Sequence, residues 1–296
     1  MKIVVTGAES FVGRYLIPLC IEQGHHVVGL DAVPPSFAGG LVCDITSSDV
    51  ADLIPDGTDV LVHLAAISRD PDCRANPKLA WDVNVGGTVN LIAQAKSRNV
   101  KQVVFASSEW VYGDVKNDAV QTEEATLDIA RIRSEYAATK MAGEAVVRLG
   151  VESGDLPSAS ILRFGIIYAA RRENWSAVEA LVNNVLKKDV ITVGCLGTAR
   201  RFIHVADIVN GIMASFGRPG FEVLNLSGDH LVTLEEIIET AKRVSGRSPK
   251  VEESQPGQAS VRNPVNDKIK STLDWEPSVP IEAGIRGLVE YFKTDA

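Results

Sequence analysis

Short apolar runs alternate with amphipathic stretches along the first half of the chain. Ile3-Val4-Val5 predicts a buried strand, and Phe11 to Gln23 predicts a helix stopped by Gly24. His26 to Leu30 predicts a second strand ending at Asp31, Leu41-Val42-Cys43 a short third, and Asp59 to Leu64 a fourth. Asn76-Pro77 marks a helix start, because Asn caps and Pro fits the first helical position. Apolar positions then recur to about Ala95, with Asn99 near the stop. Gln102 to Ala106 predicts a fifth strand, Ser134 to about Arg148 a long helix, and Ala159 to Phe164 a sixth strand.

Continuous apolar strands, each followed by a helix, argue for an α/β fold with a parallel sheet covered on both faces. Right-handed crossovers make that sheet doubly wound, and ligands of such sheets bind outside the carboxyl ends of the strands. After Phe164 the pattern loosens. Ala177 to Lys187, Thr233 to Val244 and Glu282 to Phe292 read as helices, and Phe221 to Leu226 as a strand. Ser245 to Asn263 is polar, carries Pro249 and Pro256, and reads as a loop. The expected division is a first domain over 1–164, rejoined by part of 202–228, and a second over most of 165–296.

Composition narrows the function classes. Of 296 residues, 45% are apolar and 23% charged, which excludes disorder as the main story. A net charge of −8 offers no broad electrostatic footprint for nucleic acid or an anionic membrane. Cys20, Cys43, Cys73 and Cys195 contain no Cys-x-x-Cys pair, which argues against a zinc ribbon, a redox motif or a disulfide scaffold. No metal centre is expected, and a reduced, cytoplasmic setting is the default. The amino terminus lacks a signal-peptide layout, and no apolar run is long enough to predict a spanning helix.

Two strand ends carry candidate chemistry. Thr6-Gly7-Ala8-Glu9-Ser10-Phe11-Val12-Gly13 follows the first strand and opens the first helix. Gly7 allows a tight turn, backbone N–H groups at the helix start can face a pyrophosphate, and Gly13 lets the helix sit close to the sheet. Ser10 stands where the dinucleotide fingerprint has its middle glycine; it can donate to phosphate but limits backbone approach. Asp31, about 20 residues past the glycines, can hold both ribose hydroxyls and would repel a 2′-phosphate, favouring NAD over NADP. The plainer alternative is a strand-end turn aspartate. Asp44-Ile45 offers a carboxylate to an adenine amino group and an apolar wall, or simply a turn.

Tyr136 and Lys140 are spaced to share one face of the long helix. An ammonium beside a phenol stabilises the phenolate, so a group of ordinary pKa about 10 can act as acid and base nearer neutrality. Tyr112 and Lys116 share the spacing, but Gly113 and Asp114 put that pair in a loop. Ser108 follows the fifth strand, where a hydroxyl can reach a substrate oxygen near a phenol on the next helix; a turn role is the alternative.

As a set, these motifs resemble an extended short-chain dehydrogenase/reductase of the NAD-dependent epimerase/dehydratase family. The resemblance runs in order through the glycine turn, Asp31, Asp44-Ile45, His63 to Ala66, Asn84 to Asn90, Ser107 to Gly113, and Tyr136 with Lys140. Leu162-Arg163-Phe164, Arg200 to Asp207 and Leu273 to Pro277 continue it. It implies a Rossmann domain and a smaller C-terminal α/β substrate domain. Tyr136 would be the acid/base, Lys140 would bind the nicotinamide ribose and tune Tyr136, and Ser108 would hydrogen-bond the reacting oxygen. NAD would be held by Gly7, Ser10, Phe11, Val12, Gly13, Asp31, Asp44, Ile45, Leu64, Ala65, Ala66, Ser107, Tyr136, Lys140 and Phe164. Substrate would meet Ser108, Glu109, Trp110, Tyr136 and Arg200, the last on a diphosphate; a solvated basic pair with Arg201 is the alternative. His204 is expected to be structural.

Departures set the expected chemistry. Glu109-Trp110 replaces the Asp-Glu type pair of 4,6-dehydratases, and Trp110 cannot donate a proton. Ile166, Ala169-Ala170 and Arg201 replace an Asn, a Gly-Pro and an Asp of the family pattern. The leading reading is NAD-dependent nucleotide-sugar epimerisation at C4 through a transient 4-keto sugar. The rivals are a net dehydrogenase or ketoreductase of a sugar, sugar acid or nucleotide-linked ketone, a 4,6-dehydratase, and a non-catalytic NAD sensor. The resemblance also implies a homodimer, with Val89, Ile92, Met141 and Ala145 as outer positions on the paired helices; packing on the sheet is the alternative.

Overall fold

The computed structural model describes residues 1–114 and 119–294, in two compact units. The first unit comprises Met1–Asp114, Ala125–Arg163 and Val209–Leu224. Its strands are β1 (Lys2–Thr6), β2 (His26–Asp31), β3 (Gly40–Val42), β4 (Val60–His63), β5 (Val103–Ser108), β6 (Ser158–Phe164) and β7 (Gly220–Leu226), the last two continuing into the second unit. They form one seven-stranded sheet in the order β7-β6-β5-β4-β1-β2-β3. β1 runs parallel to both β2 and β4, and β4 to β5. The chain starts at β1, winds outward to β3, then returns to β4 on the other side. The strand order therefore reverses between β1 and β4, which is where such sheets open a crevice at their carboxyl ends.

The flanking helices follow from capping and burial. α1 is Gly13–Glu22, α2 Asp70–Ala75, α3 Pro77–Trp81, α4 Gly87–Ser97 and α5 Glu135–Glu152. Asn76 caps α3, accepting the Leu79 amide at 3.1 Å, and Ser134 caps α5, accepting the Ala137 amide at 3.2 Å. The core holds Val4, Leu61, Leu91, Phe105, Val147 and Ile161.

The helix expected from Asn76 to about Ala95 is not continuous. Asp82–Gly86 forms a π-helical turn between α3 and α4. Its cause is Asn84, whose buried amide accepts from Ile67 N (2.7 Å) and donates to Ile67 O (3.0 Å) and Thr139 Oγ1 (3.0 Å). A side chain bound to both a loop and another helix takes up the extra residue of a π turn. Ile92, expected on an outer face, instead lies in the core at 7% exposure, whereas Val89 is exposed.

The second unit takes residues 119–124, 164–208 and 225–294. α6 (Ala177–Lys187) and α7 (Leu234–Ser245) both begin with capping boxes, Ser176 with Glu179 and Thr233 with Glu236. With α8 (Ile281–Thr294) they bury Val178, Val182, Ile237, Ile285 and Leu288. The loop expected over Ser245 to Asn263 contains a strand, Lys250–Glu253, parallel to Val190–Val193. Backbone pairing there overrides a polar sequence, because an edge strand can leave its charged side chains in water.

Candidate active site

The nucleotide turn sits at the reversal of strand order. Gly7 has φ +71°, and a Cβ on it would lie 2.6 Å from Ala65 N, at the end of β4. A Cβ on Gly13 would lie 2.5 Å from Gly7 O. The turn is thus packed to backbone contact on both sides, a closeness that only glycine allows at these two positions. Asp31 accepts Glu9 N at 2.8 Å and Val33 N at 3.1 Å, so its carboxylate is fixed at the tip of β2 beside the turn. Ser10 Oγ accepts Gly13 N at 3.1 Å, capping one helix-start donor while leaving its own O–H to donate. Phe11 and Val12 complete the turn into α1.

The remaining cofactor candidates are scattered along the same strand ends. Leu64, Ala65 and Ala66 are half-buried just past β4. Asp44 is exposed and accepts Thr46 N at 2.9 Å, forming a local turn. Ile45 is buried, and its Cδ1 would stand 2.6 Å from a Cβ on Gly87, so its apolar wall faces the core at that point. Phe164 ends β6 and is buried.

Ser108, Tyr136 and Lys140 converge within the first unit. Ser108 ends β5, and its hydroxyl hydrogen-bonds the Tyr136 phenol near the start of α5. Lys140, one turn further, reaches Ala106 O at 2.7 Å and stands 5.9 Å from the Tyr136 ring centroid. The expected downward pull on the phenol is outweighed in this state. Burial pushes the Tyr136 phenol above its ordinary value, with the Ser108 hydrogen bond working the other way. Burial likewise pushes Lys140 down to about 8, against the attraction of Glu144. Trp110 presents its ring edge-on to Tyr136, centroids 6.4 Å apart. Glu109, expected to meet substrate, has no exposed surface. Tyr112 is also buried and takes Arg163 Nη1 at 3.0 Å, while Lys116 lies outside the described residues.

Buried polar groups behind Ser108, Tyr136 and Lys140 support this site. His63 at the end of β4 bridges Thr6 Oγ1 (2.8 Å) and Thr88 Oγ1 (3.0 Å). Thr88 spends its proton on Asn84 O at 2.7 Å, so it must accept from His63 Nε2–H, and Nδ1 must accept from Thr6. Burial, then the nearby Lys140 charge, pushes His63 down to about 3, keeping it neutral. Glu144, one turn past Lys140, takes a two-point ion pair from Arg163 (2.9 and 2.8 Å) and the Ser107 hydroxyl (2.5 Å). The signal for this pair was in the sequence: an arginine inside the apolar run Ile161-Leu162-Arg163-Phe164 needs a buried carboxylate.

In the second unit, Arg200 donates to Ala199 O and Ser260 O at 2.7 and 2.6 Å. Arg201 donates to Asn263 Oδ1 (2.6 Å) and to the carbonyls of Gly228 and Asp229 (3.0 and 2.6 Å), so neither guanidinium is simply solvated. His204 accepts Ala206 N at 3.3 Å, a helix-start contact. Among the described residues no group of metal-ligating side chains is assembled, and no helix is long and apolar enough to cross a membrane.

The profile of the NAD dependent epimerase/dehydratase family matches residues 3–226. A UDP-glucuronate 4-epimerase of Thermodesulfobacterium geofontis (strain OPF15) is 26% identical, covering 98% of this chain and 95% of its own. UDP-glucuronic acid decarboxylase 1 of Arabidopsis thaliana is 27% identical, covering 99% of this chain and 70% of its own. Among solved structures, UDP-glucuronic acid 4-epimerase from Bacillus cereus in complex with UDP-glucuronic acid and NAD superposes with a TM-score of 0.87 at 25% identity, covering both chains completely.

Proposed function

The chain belongs to the NAD dependent epimerase/dehydratase family, and from that premise we propose that it is an NAD-dependent nucleotide-sugar epimerase acting at C4. The observation that carries the reading is the Ser108–Tyr136 hydrogen bond with Lys140 one helical turn away. That cluster lies close enough to His63, at the end of β4, for Lys140 to depress its basicity. β4 in turn closes against the Gly7 turn. The names of the relatives and of the B. cereus complex support UDP-sugars as the substrate class.

The residues fit a dinucleotide. The helix start after Gly7 would take the pyrophosphate, Asp31 the adenosine ribose hydroxyls, and Lys140 the nicotinamide ribose. Bound NAD supplies a hydride acceptor and donor. As the phenolate, which the positive charge of bound oxidised NAD would favour, Tyr136 takes the proton of the sugar's 4-hydroxyl and returns it after the ring has turned over. Ser108 orients that oxygen and works against the burial that holds Tyr136 protonated, and Lys140 stands one turn further along the helix. Arg200 is assigned to the diphosphate, which requires it to exchange a backbone carbonyl for phosphate oxygen. Glu109 has no place in this scheme, and Trp110 forms an apolar edge beside Tyr136.

Mass-resolved incubation of UDP-hexoses and UDP-hexuronates with protein and NAD tests the reading. It expects an isomer of unchanged mass and no net change in absorbance near 340 nm. Loss of water or carbon dioxide, or stoichiometric NADH, would replace epimerisation by dehydration, decarboxylation or net oxidation.

We also assign a homodimer, with a second copy covering the exposed Trp81, Val89 and Leu149. Sedimentation should give twice the chain mass for the wild type and the chain mass for Val89→Asp with Leu149→Glu; a wild-type monomer contradicts the assignment. A cytoplasmic location is proposed as well, and four unpaired, buried cysteines support it.

A further inference from the structure

Glu9 lies in the nucleotide turn, yet its side chain is only 4% exposed. A carboxylate hidden on a surface turn must replace its water with protein donors. Glu9 finds them in two places. Its Oε1 accepts Ser36 N at 2.5 Å and Ser36 Oγ at 2.9 Å, and its Oε2 accepts Ser36 Oγ at 3.1 Å and Arg14 Nε at 3.0 Å. Ser36 belongs to the connection 32–39 between β2 and β3, which leaves β2 directly after Asp31. The main chain of Glu9 meanwhile donates to Asp31 Oδ2 at 2.8 Å, and Asp31 Oδ1 accepts Val33 N at 3.1 Å.

One residue is therefore bonded to both ends of the same segment. The Glu9 amide holds the aspartate from which the connection departs, and the Glu9 carboxylate holds the connection five residues further on. Further anchorage comes from the far end, where Gly29 N donates to Gly39 O at 3.3 Å, and from Phe37, which packs on the face of Gly29, where a Cβ would meet its ring at 2.2 Å. Gly29 also faces the Ala8 methyl of the turn, so turn, strand and connection form one packed corner.

We propose that Glu9 is the latch that fixes the 32–39 connection beside Asp31, and so holds the Asp31 carboxylate in place for the paired hydroxyls of an adenosine ribose. Glu9 is a positioning residue, and this inference rests on the NAD reading above. The conformational entropy of the connection is lost on folding rather than on binding, which appears as tighter retention of the dinucleotide. An enzyme that must return a hydride to the substrate it came from gains from a cofactor that stays bound.

Calorimetric titration of NAD, and of ADP-ribose as a probe of the adenosine half alone, tests the latch. Carboxylate hydrogen bonds of this kind predict that Glu9→Ala weakens both ligands by about 10- to 100-fold. Ser36→Ala, which leaves the turn intact and removes the hydroxyl contacts, should weaken both by about 3- to 10-fold. Glu9→Gln, which keeps an acceptor for Ser36 N, should recover part of the loss. KM for NAD should rise in Glu9→Ala while kcat at saturating NAD stays within about twofold, a split that general destabilisation would not give. If the wild type binds both ligands and Glu9→Ala and Ser36→Ala bind them equally well, the latch is wrong and the NAD reading stands. If the wild type binds neither ligand, the NAD reading fails and the latch with it.

Discussion

Gly143→Ala sets two effects against each other on the helix that carries Tyr136 and Lys140. Alanine is the better helix former by up to about 1 kcal/mol. Its Cβ, however, would stand 2.5 Å from Phe105 Cζ, where ordinary contact begins at 3.4 Å, so about 0.9 Å must be found. Phe105 cannot supply it cheaply: the ring is 1% exposed, packs in the core, and lies 5.5 Å from the His63 ring. The helix must then move outward. Overpacking of this kind costs about 1–3 kcal/mol, which outweighs the propensity gain and leaves a net loss of about 0–2 kcal/mol. At this chain length that lowers Tm by a few degrees. The larger effect is on chemistry, because Lys140 sits 4.9 Å over the same ring and moves with the helix. A displacement near 1 Å at the reacting groups predicts a fall in kcat of about 100-fold. Thermal melts and turnover of the same preparation decide the matter. A raised Tm with unchanged turnover would show that propensity wins and that the spacing between α5 and the sheet does not set the catalytic geometry.

Two further predictions concern buried charge. His63 is pushed to about 3 by burial and the Lys140 charge, so the unfolded chain takes up its proton near pH 6.5 while the folded chain does not. Its contribution to stability is complete above pH 6.5 and is lost as pH falls towards 3, at up to about 1.4 kcal/mol per pH unit. Urea unfolding of His63→Gln between pH 6 and 4 should show a shallower acid slope than wild type; equal slopes would contradict a neutral buried imidazole. Arg163→Met strands the Glu144 carboxylate, whose side chain is 8% exposed, and should cost about 3–5 kcal/mol by urea unfolding. Adding Glu144→Leu should recover most of that loss, and a single variant within about 1 kcal/mol of wild type would show that the pair is not the buried unit drawn above.

What the sequence made legible was local. The Gly7 turn, the strand ending at Asp31 and the Tyr136/Lys140 face each depend on residues within one turn or one strand–helix junction, where period and glycine placement carry the information. The π turn was illegible because Asn84 is bound to Ile67 and Thr139, neither of them near it in the chain. The strand Lys250–Glu253 was lost among polar residues because its pairing with Val190–Val193 is set by the second unit's packing. The upward push on Tyr136 was missed for a related reason. Spacing shows which groups are neighbours, but it does not show how much water they lose.

Turnover of Tyr136→Phe, measured alongside NAD binding by titration, tests the central claim most directly. The variant removes one phenolic oxygen and its Ser108 hydrogen bond. The account predicts NAD affinity within about twofold of wild type and epimerisation reduced by about 10²- to 10⁴-fold, the range lost with a positioned acid/base. Epimerisation at the wild-type rate would mean that the proton is carried elsewhere, and that the convergence of Ser108, Tyr136 and Lys140 is not the reacting centre.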